Sequence, residues 1–134
     1  MRVLLADDEP EIVGLIEDTL SELGHEVATA GDGIAALETL VTSGPIDVLV
    51  TDVMMPRMRG DELARRARAS RPALPIVVIS GNLTPSLADE LRAALRGRLA
   101  ILAKPFTMGA LVDEIDRVTG HGRARPALAN AAAA

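Results

Sequence analysis

Apolar residues in this chain follow two alternating patterns. Val3-Leu4-Leu5-Ala6, Val48-Leu49-Val50, Ile76-Val77-Val78-Ile79 and Leu99-Ala100-Ile101-Leu102-Ala103 are short uninterrupted runs rich in branched side chains. Such runs mark strands covered on both faces, and residues 26–30 read as a shorter strand of the same kind. Between the runs, apolar positions recur at helical spacing. Ile12, Leu15, Ile16, Thr19, Leu20 and Leu23 form the first such face, and Ile34, Leu37, Leu40 and Val41 the second. Leu63, Ala64 and Ala67 form the third, Leu87, Leu91, Ala94 and Leu95 the fourth, and Met108, Leu111, Val112, Ile115 and Val118 the fifth. Punctuation agrees with this division: Pro10 opens the first helix and Gly24 closes it, Gly31-Asp32-Gly33 is a turn, and Thr84 and Thr107 stand at cap positions. Gly14 interrupts the first helix at a cost of about 0.5–1 kcal/mol relative to Ala, which predicts a tolerant, open site. Five strands alternating with five helices predict an α/β domain, with a parallel sheet, right-handed crossovers and helices on both faces. Alternation alone does not give the strand order.

A length of 134 residues suits one domain. The last element ends near residue 119, and residues 120–134 carry too little apolar bulk to pack, so a disordered tail is expected there. With no Cys, disulfides, thiol nucleophiles and zinc-thiolate sites are excluded, and with Phe106 the only aromatic residue the core must be aliphatic. Neither a signal peptide nor a run of about 20 apolar residues is present, so a cytoplasmic protein without membrane contact is expected. The net charge of -5 is unevenly spread. Residues 1–56 hold 12 acids and one base, whereas residues 57–98 hold nine bases and four acids. Arg57, Arg59, Arg65, Arg66, Arg68 and Arg71 supply most of the basic segment. Without interleaved aromatic residues they read as a solvated helix face, and direct DNA binding is not expected.

Chemistry collects where the strand-like runs stop. The first run meets Asp7-Asp8, the third-strand run meets Thr51-Asp52, the next meets Ser80-Gly81, and the last meets Lys104-Pro105. Ligands of open parallel sheets bind outside the carboxyl ends of the strands, so acids, an alcohol and an amine at those ends point to a site. Any one of them alone reads equally well as a turn residue.

Together these motifs resemble the receiver domain of bacterial two-component response regulators over residues 2–119. The resemblance rests on Asp7-Asp8-Glu9-Pro10, on Thr51-Asp52 with Met55-Pro56 and Gly60, on Ser80-Gly81, and on Lys104-Pro105-Phe106. It implies the doubly wound, flavodoxin-like strand order 2-1-3-4-5, which brings Asp7, Asp8 and Asp52 together. Clustered carboxylates raise one another's pKa unless a cation joins them. An all-oxygen set with room for waters and a phosphoryl group suits Mg²⁺. By resemblance, Asp52 accepts the phosphoryl group and Asp7, Asp8, Asp52 and the Met54 backbone carbonyl hold the Mg²⁺. Lys104 and Ser80 bind phosphoryl oxygens, and the Lys104-Pro105 bond is cis. His25 is expected to be an exposed residue opening the second strand, away from the acids, and His121 lies in the tail.

The resemblance further implies a single-domain regulator that takes phosphate from a histidine kinase or a histidine phosphotransfer protein and signals to a downstream protein by contact. A metal-dependent phosphatase with an aspartyl nucleophile is the enzymatic alternative, but such enzymes need a second acid two residues on, where this chain has Met54. An interaction module that works without phosphorylation is disfavoured because the acids, alcohol and lysine are all retained. Two positions depart from the usual receiver pattern. Ile101 stands three before Lys104 in place of an aromatic residue, which puts the usual output switch in doubt, and Asn82 stands two after Ser80. With the aromatic switch missing, phosphorylation is expected to act through residues 80–87 and the fourth helix, which carries Arg92 and Arg96.

Overall fold

In a strand, alternate side chains point to opposite faces, and here both faces are covered. The computed structural model describes residues 1–120, so the expected tail lies outside the described residues except for Gly120. Five strands, β1 (Arg2–Ala6), β2 (Glu26–Ala30), β3 (Val48–Asp52), β4 (Ile76–Ser80) and β5 (Leu99–Ala103), alternate with five helices. The helices are α1 (Pro10–Glu22), α2 (Gly33–Thr42), α3 (Gly60–Ser70), α4 (Pro85–Ala94) and α5 (Met108–Thr119). All strand pairs are parallel, in the order β2-β1-β3-β4-β5 that the resemblance implied. Leu4, Ala6, Leu49, Ile76 and Val78 face a core shared with α2, α3 and α4. Val3, Leu5, Val48, Val50, Val77 and Ile79 face a second core closed by α1 and α5. The three central strands are therefore buried on both sides, which is why their sequences read as continuous apolar runs.

Caps fix the helix starts. The side chains of Asp32, Thr84 and Thr107 accept hydrogen bonds from the backbone N–H groups of Ala35, Leu87 and Ala110 at 2.8, 3.1 and 2.9 Å. Gly120 ends α5 in the left-handed conformation, with φ 74°. No helix among the described residues is long and apolar enough to cross a membrane.

Five expectations need correction. Val41 is 77% exposed and Leu15 38% exposed, because α2 is anchored by Ala36 and Leu40 and α1 by Ile16 and Leu20, leaving the immediate neighbours of Leu40 and Ile16 rotated outward. In α4 the buried small residue is Ala88 rather than Ala94. His25 is buried, since the β1–β2 register brings it beside Met1, whose amino group donates to Nδ1 at 3.1 Å. Arg68 is buried as well. Its guanidinium donates to the carbonyls of Pro72 at 3.1 Å, Arg98 at 2.9 Å and Leu74, so it braces α3 against the loops entering β4 and β5 and is no part of a solvated basic face.

Candidate functional site

Register puts the strand-end residues together. β1 and β3 are neighbours with Ala6 opposite Thr51, so Asp7 and Asp8 emerge beside Asp52. On the far side β3 pairs with β4, placing Asp52 opposite Ile79, and Ser80 pairs with Ala103 immediately before Lys104. Carboxylate oxygens of Asp7, Asp8 and Asp52 lie within 4.8 Å of one another. Asp7 and Asp52 are buried, and Asp8 is exposed. Lys104 spans β4 to reach the cluster, with its Nζ 3.2 Å from Asp52 Oδ2. It also lies 3.1 Å from Glu9 Oε1, a contact that sequence reasoning did not anticipate. Ser80 is buried, and its hydroxyl oxygen accepts from the Asn82 N–H at 3.2 Å. The Lys104-Pro105 peptide bond is cis. Met54 follows Asp52 with its side chain exposed, while Ile101 pairs with Val78 and packs half-buried against the α2–α4 core.

Two glycines hold the loop after Asp52 against the sheet. A Cβ on Gly60 would stand 1.7 Å from the Asp52 carbonyl oxygen, and one on Gly33 would stand 2.4 Å from the Met58 carbonyl oxygen. Gly60 also donates its N–H to the Val53 carbonyl at 2.8 Å. Between these points Arg57 adopts φ 66°, in the left-handed region, and pairs with Asp32 at 3.4 Å. Thr51 donates its hydroxyl to the Asp52 carbonyl at 2.9 Å from within the core. Gly60 belonged to the motif read from the sequence. The roles of Gly33 and Thr51 carry no sequence signal, because both depend on contacts between segments distant in the chain or on side-chain direction.

Electrostatics mark the cluster as incomplete. Burial pushes the Asp7 carboxyl up, the Glu9 N–H bonded to its Oδ1 at 2.9 Å pulls it down, and the charge of Asp52 raises it again, leaving it above the usual carboxylate value. Its other oxygen, Oδ2, is buried without a hydrogen-bond partner. For the Lys104 ammonium, burial pulls the pKa down, but bonds to Glu9 and Asp52 and the charge of Asp7 outweigh it, and the net direction is up. An unpartnered buried carboxylate oxygen among converging acids fits a hard divalent cation, and the set contains no nitrogen or sulfur ligand that would favour a softer one.

Comparison with known proteins bears on the same site. Residues 3–116 match the family described as the response regulator receiver domain. The chain is 38% identical over 115 residues to the DNA-binding transcriptional regulator NtrC of Azospirillum brasilense, covering 86% of this chain and 23% of that protein. It is 35% identical over 117 residues to the response regulator receiver protein CpdR of Brucella abortus, covering 87% of this chain and 95% of the relative. Among solved structures, it is similar to the receiver domain of the sensor histidine kinase PA1611 from Pseudomonas aeruginosa, with a TM-score of 0.77, 28% identity, and coverage of 90% of this chain and 98% of that one. That structure has a magnesium ion coordinated in its active site cleft.

Proposed function

The chain belongs to the response regulator receiver domain family, and within it we propose that Asp52 is a Mg²⁺-dependent phosphoacceptor, loaded by a histidine kinase or a histidine phosphotransfer protein. The observation that carries this reading is the placement of one buried carboxylate, Asp52, between two further acids and the Lys104 ammonium at the carboxyl end of the central strand. Asp52 attacks the phosphorus of phosphohistidine, an O–P bond forms, and the P–N bond breaks with its electrons returning to the imidazole. Carboxylates support such phosphoryl intermediates, and catalysis is mostly positioning and charge stabilisation. Asp7, Asp8, Asp52 and the Met54 carbonyl would hold Mg²⁺, which supplies positive charge to the phosphoryl oxygens when bound. Lys104 offers its ammonium to one phosphoryl oxygen. Ser80 donates its hydroxyl to another, since its present contact only accepts from the Asn82 N–H and leaves the hydroxyl hydrogen available.

Turnover of outside substrates is disfavoured because the position two after Asp52 holds Met54, which cannot act as a general acid. Signal output is by contact with a downstream protein in the cytoplasm. Ile101 has no hydroxyl to exchange partners and its χ1 is stiff, so the response to phosphorylation is carried by residues 80–87 and α4. The decisive experiment incubates wild type and Asp52→Asn with acetyl phosphate and Mg²⁺ and weighs the intact protein. Wild type gains the mass of one phosphoryl group and the variant gains none; equal labelling of both removes Asp52 from this role.

A further inference from the structure

Glu9 is the one acid of the cluster that the phosphoacceptor reading leaves without a task. It occupies the N-cap position of α1 in extended conformation, φ -96° and ψ 105°, yet its side chain makes no capping hydrogen bond. Its carboxylate reaches instead across the mouth of the site to Lys104, 3.1 Å away. The backbone helps to aim it, since the Glu9 N–H is tied to Asp7 Oδ1 at 2.9 Å. Lys104 is thus shared between a nearly buried carboxylate, Asp52, and one that is 57% exposed, Glu9. The raised Lys104 pKa agrees with a cation held from both sides.

We propose that Glu9 is a positioning residue that competes with the incoming phosphoryl group for Lys104 and thereby slows the loading of Asp52. The proposal rests on the phosphoacceptor role of Asp52. A phosphoryl group arriving on Asp52 brings oxygens that need the same ammonium. The Glu9 carboxylate partly neutralises that ammonium and occupies the position on it that a phosphoryl oxygen would take. Because Glu9 is more exposed than Asp52, it is the partner that yields. A phosphoryl oxygen that takes its place on Lys104 releases the Glu9 side chain into water.

The test measures the rate of phosphoryl uptake from acetyl phosphate with Mg²⁺ by intact mass. In that reaction Asp52 forms the O–P bond, and the bond from phosphorus to the acetyl oxygen breaks, with acetate leaving with the electron pair. Glu9→Gln is expected to load about three- to fivefold faster than wild type, the share that an ion pair exposed on one side supplies. Glu9→Asp keeps the charge but falls one methylene short of Lys104, and it is expected to load faster than wild type as well. In the Lys104→Met background, Glu9→Gln is expected to change nothing. The proposal is overturned if Glu9→Gln loads no faster while wild type loads normally. It is also overturned if Glu9→Asp behaves as wild type, or if Glu9→Gln accelerates equally without Lys104, since either result assigns the effect to general repulsion. Wild type that takes up no phosphoryl group at Asp52 overturns the phosphoacceptor reading, and this proposal with it.

Discussion

Gly60→Ala tests how the loop that carries the site's geometry is held. The added Cβ would lie 1.7 Å from the Asp52 carbonyl oxygen and 2.8 Å from Thr51 Oγ1. Neither neighbour is a flexible tip: the first is backbone of the central strand, and the second is fully buried and bonded to that same oxygen. A carbon–oxygen contact needs about 3.3 Å, so the start of α3 must withdraw by roughly 1.6 Å. Such a withdrawal breaks the Gly60 N–H bond to the Val53 carbonyl, which is 2.8 Å long. Overpacking of this kind costs about 1–3 kcal/mol and the lost hydrogen bond about 1 kcal/mol, so a loss of roughly 2–4 kcal/mol is expected. Gly14→Ala is the matched control. Nothing lies within 4 Å of its Cβ position, and it sits inside α1, so that variant should gain about 0.5–1 kcal/mol. Urea unfolding followed by far-ultraviolet circular dichroism reads both, the chain having no Trp or Tyr for fluorescence. If Gly60→Ala unfolds within 1 kcal/mol of wild type, by this order-of-magnitude scale, the loop is not clamped as described.

Arg68→Met removes a buried fork from three carbonyls and is expected to cost about 2–4 kcal/mol in the same unfolding assay, with Arg68→Lys recovering only part of it; a loss below about 1 kcal/mol would show the brace to be dispensable. Asp7→Asn acts in the opposite direction. Because burial and then Asp52 hold the Asp7 pKa above its unfolded value, the stability of wild type is fully present below the unfolded value and falls as pH rises through the folded one. In chelator-containing buffer Asp7→Asn should therefore be more stable than wild type at neutral pH, with the difference vanishing on acidification below about pH 3.9, and Mg²⁺ should stabilise it less than it stabilises wild type. A variant less stable than wild type at neutral pH refutes the sign. Hydrogen exchange with and without beryllofluoride locates the output: protection is expected to change over residues 80–96 in wild type and Ile101→Ala alike, and changes confined to residues 99–103 that disappear in Ile101→Ala would make Ile101 the switch.

The sheet was legible because its central strands are covered twice. Burial on both faces leaves no polar alternation in β1, β3 and β4, and the abrupt end of each run at Asp7, Asp52 or Ser80 marks both the strand terminus and the site. Helix faces were legible to within a residue, and the misplaced ones, Leu15, Val41 and Ala94, are all immediate neighbours of an anchoring residue. A 3.6-residue period resolves such neighbours poorly when a stripe is wide. Arg68 was misjudged, and the contact of Glu9 went unanticipated, for a different reason. Both are long charged side chains, and composition predicts only that the charge reaches water. Glu9 instead finds Lys104, 95 positions away, and Arg68 finds Arg98, 30 positions away. Contacts of that range are set by topology, and no local pattern carries them.

Arg68 also changes the meaning of the uneven charge distribution. Arg2 donates to the Ser43 carbonyl and Arg71 to the Leu40 carbonyl, so two arginines from outside α2 meet the carboxyl end of that helix, which has no basic residue in its own last turn. The Arg2 backbone N–H is held by Asp47 at 2.7 Å, and Arg68 binds the carbonyls before β4 and β5. These contacts lie where the strands begin, at the end of the sheet opposite Asp52. Arg2, Arg68 and Arg71 are therefore structural cations at the amino ends of the strands, whereas among the described residues Lys104 is the cation that pairs with the cluster of Asp7, Asp8 and Asp52. A guanidinium placed among Asp7, Asp8 and Asp52 would satisfy the unpartnered Asp7 oxygen permanently and leave no place for a divalent ion. Keeping Arg2, Arg68 and Arg71 at the far end, and Arg57 on Asp32, secures the loops and leaves the carboxylate cluster short of positive charge, the condition under which binding a cation and a phosphoryl group is favourable.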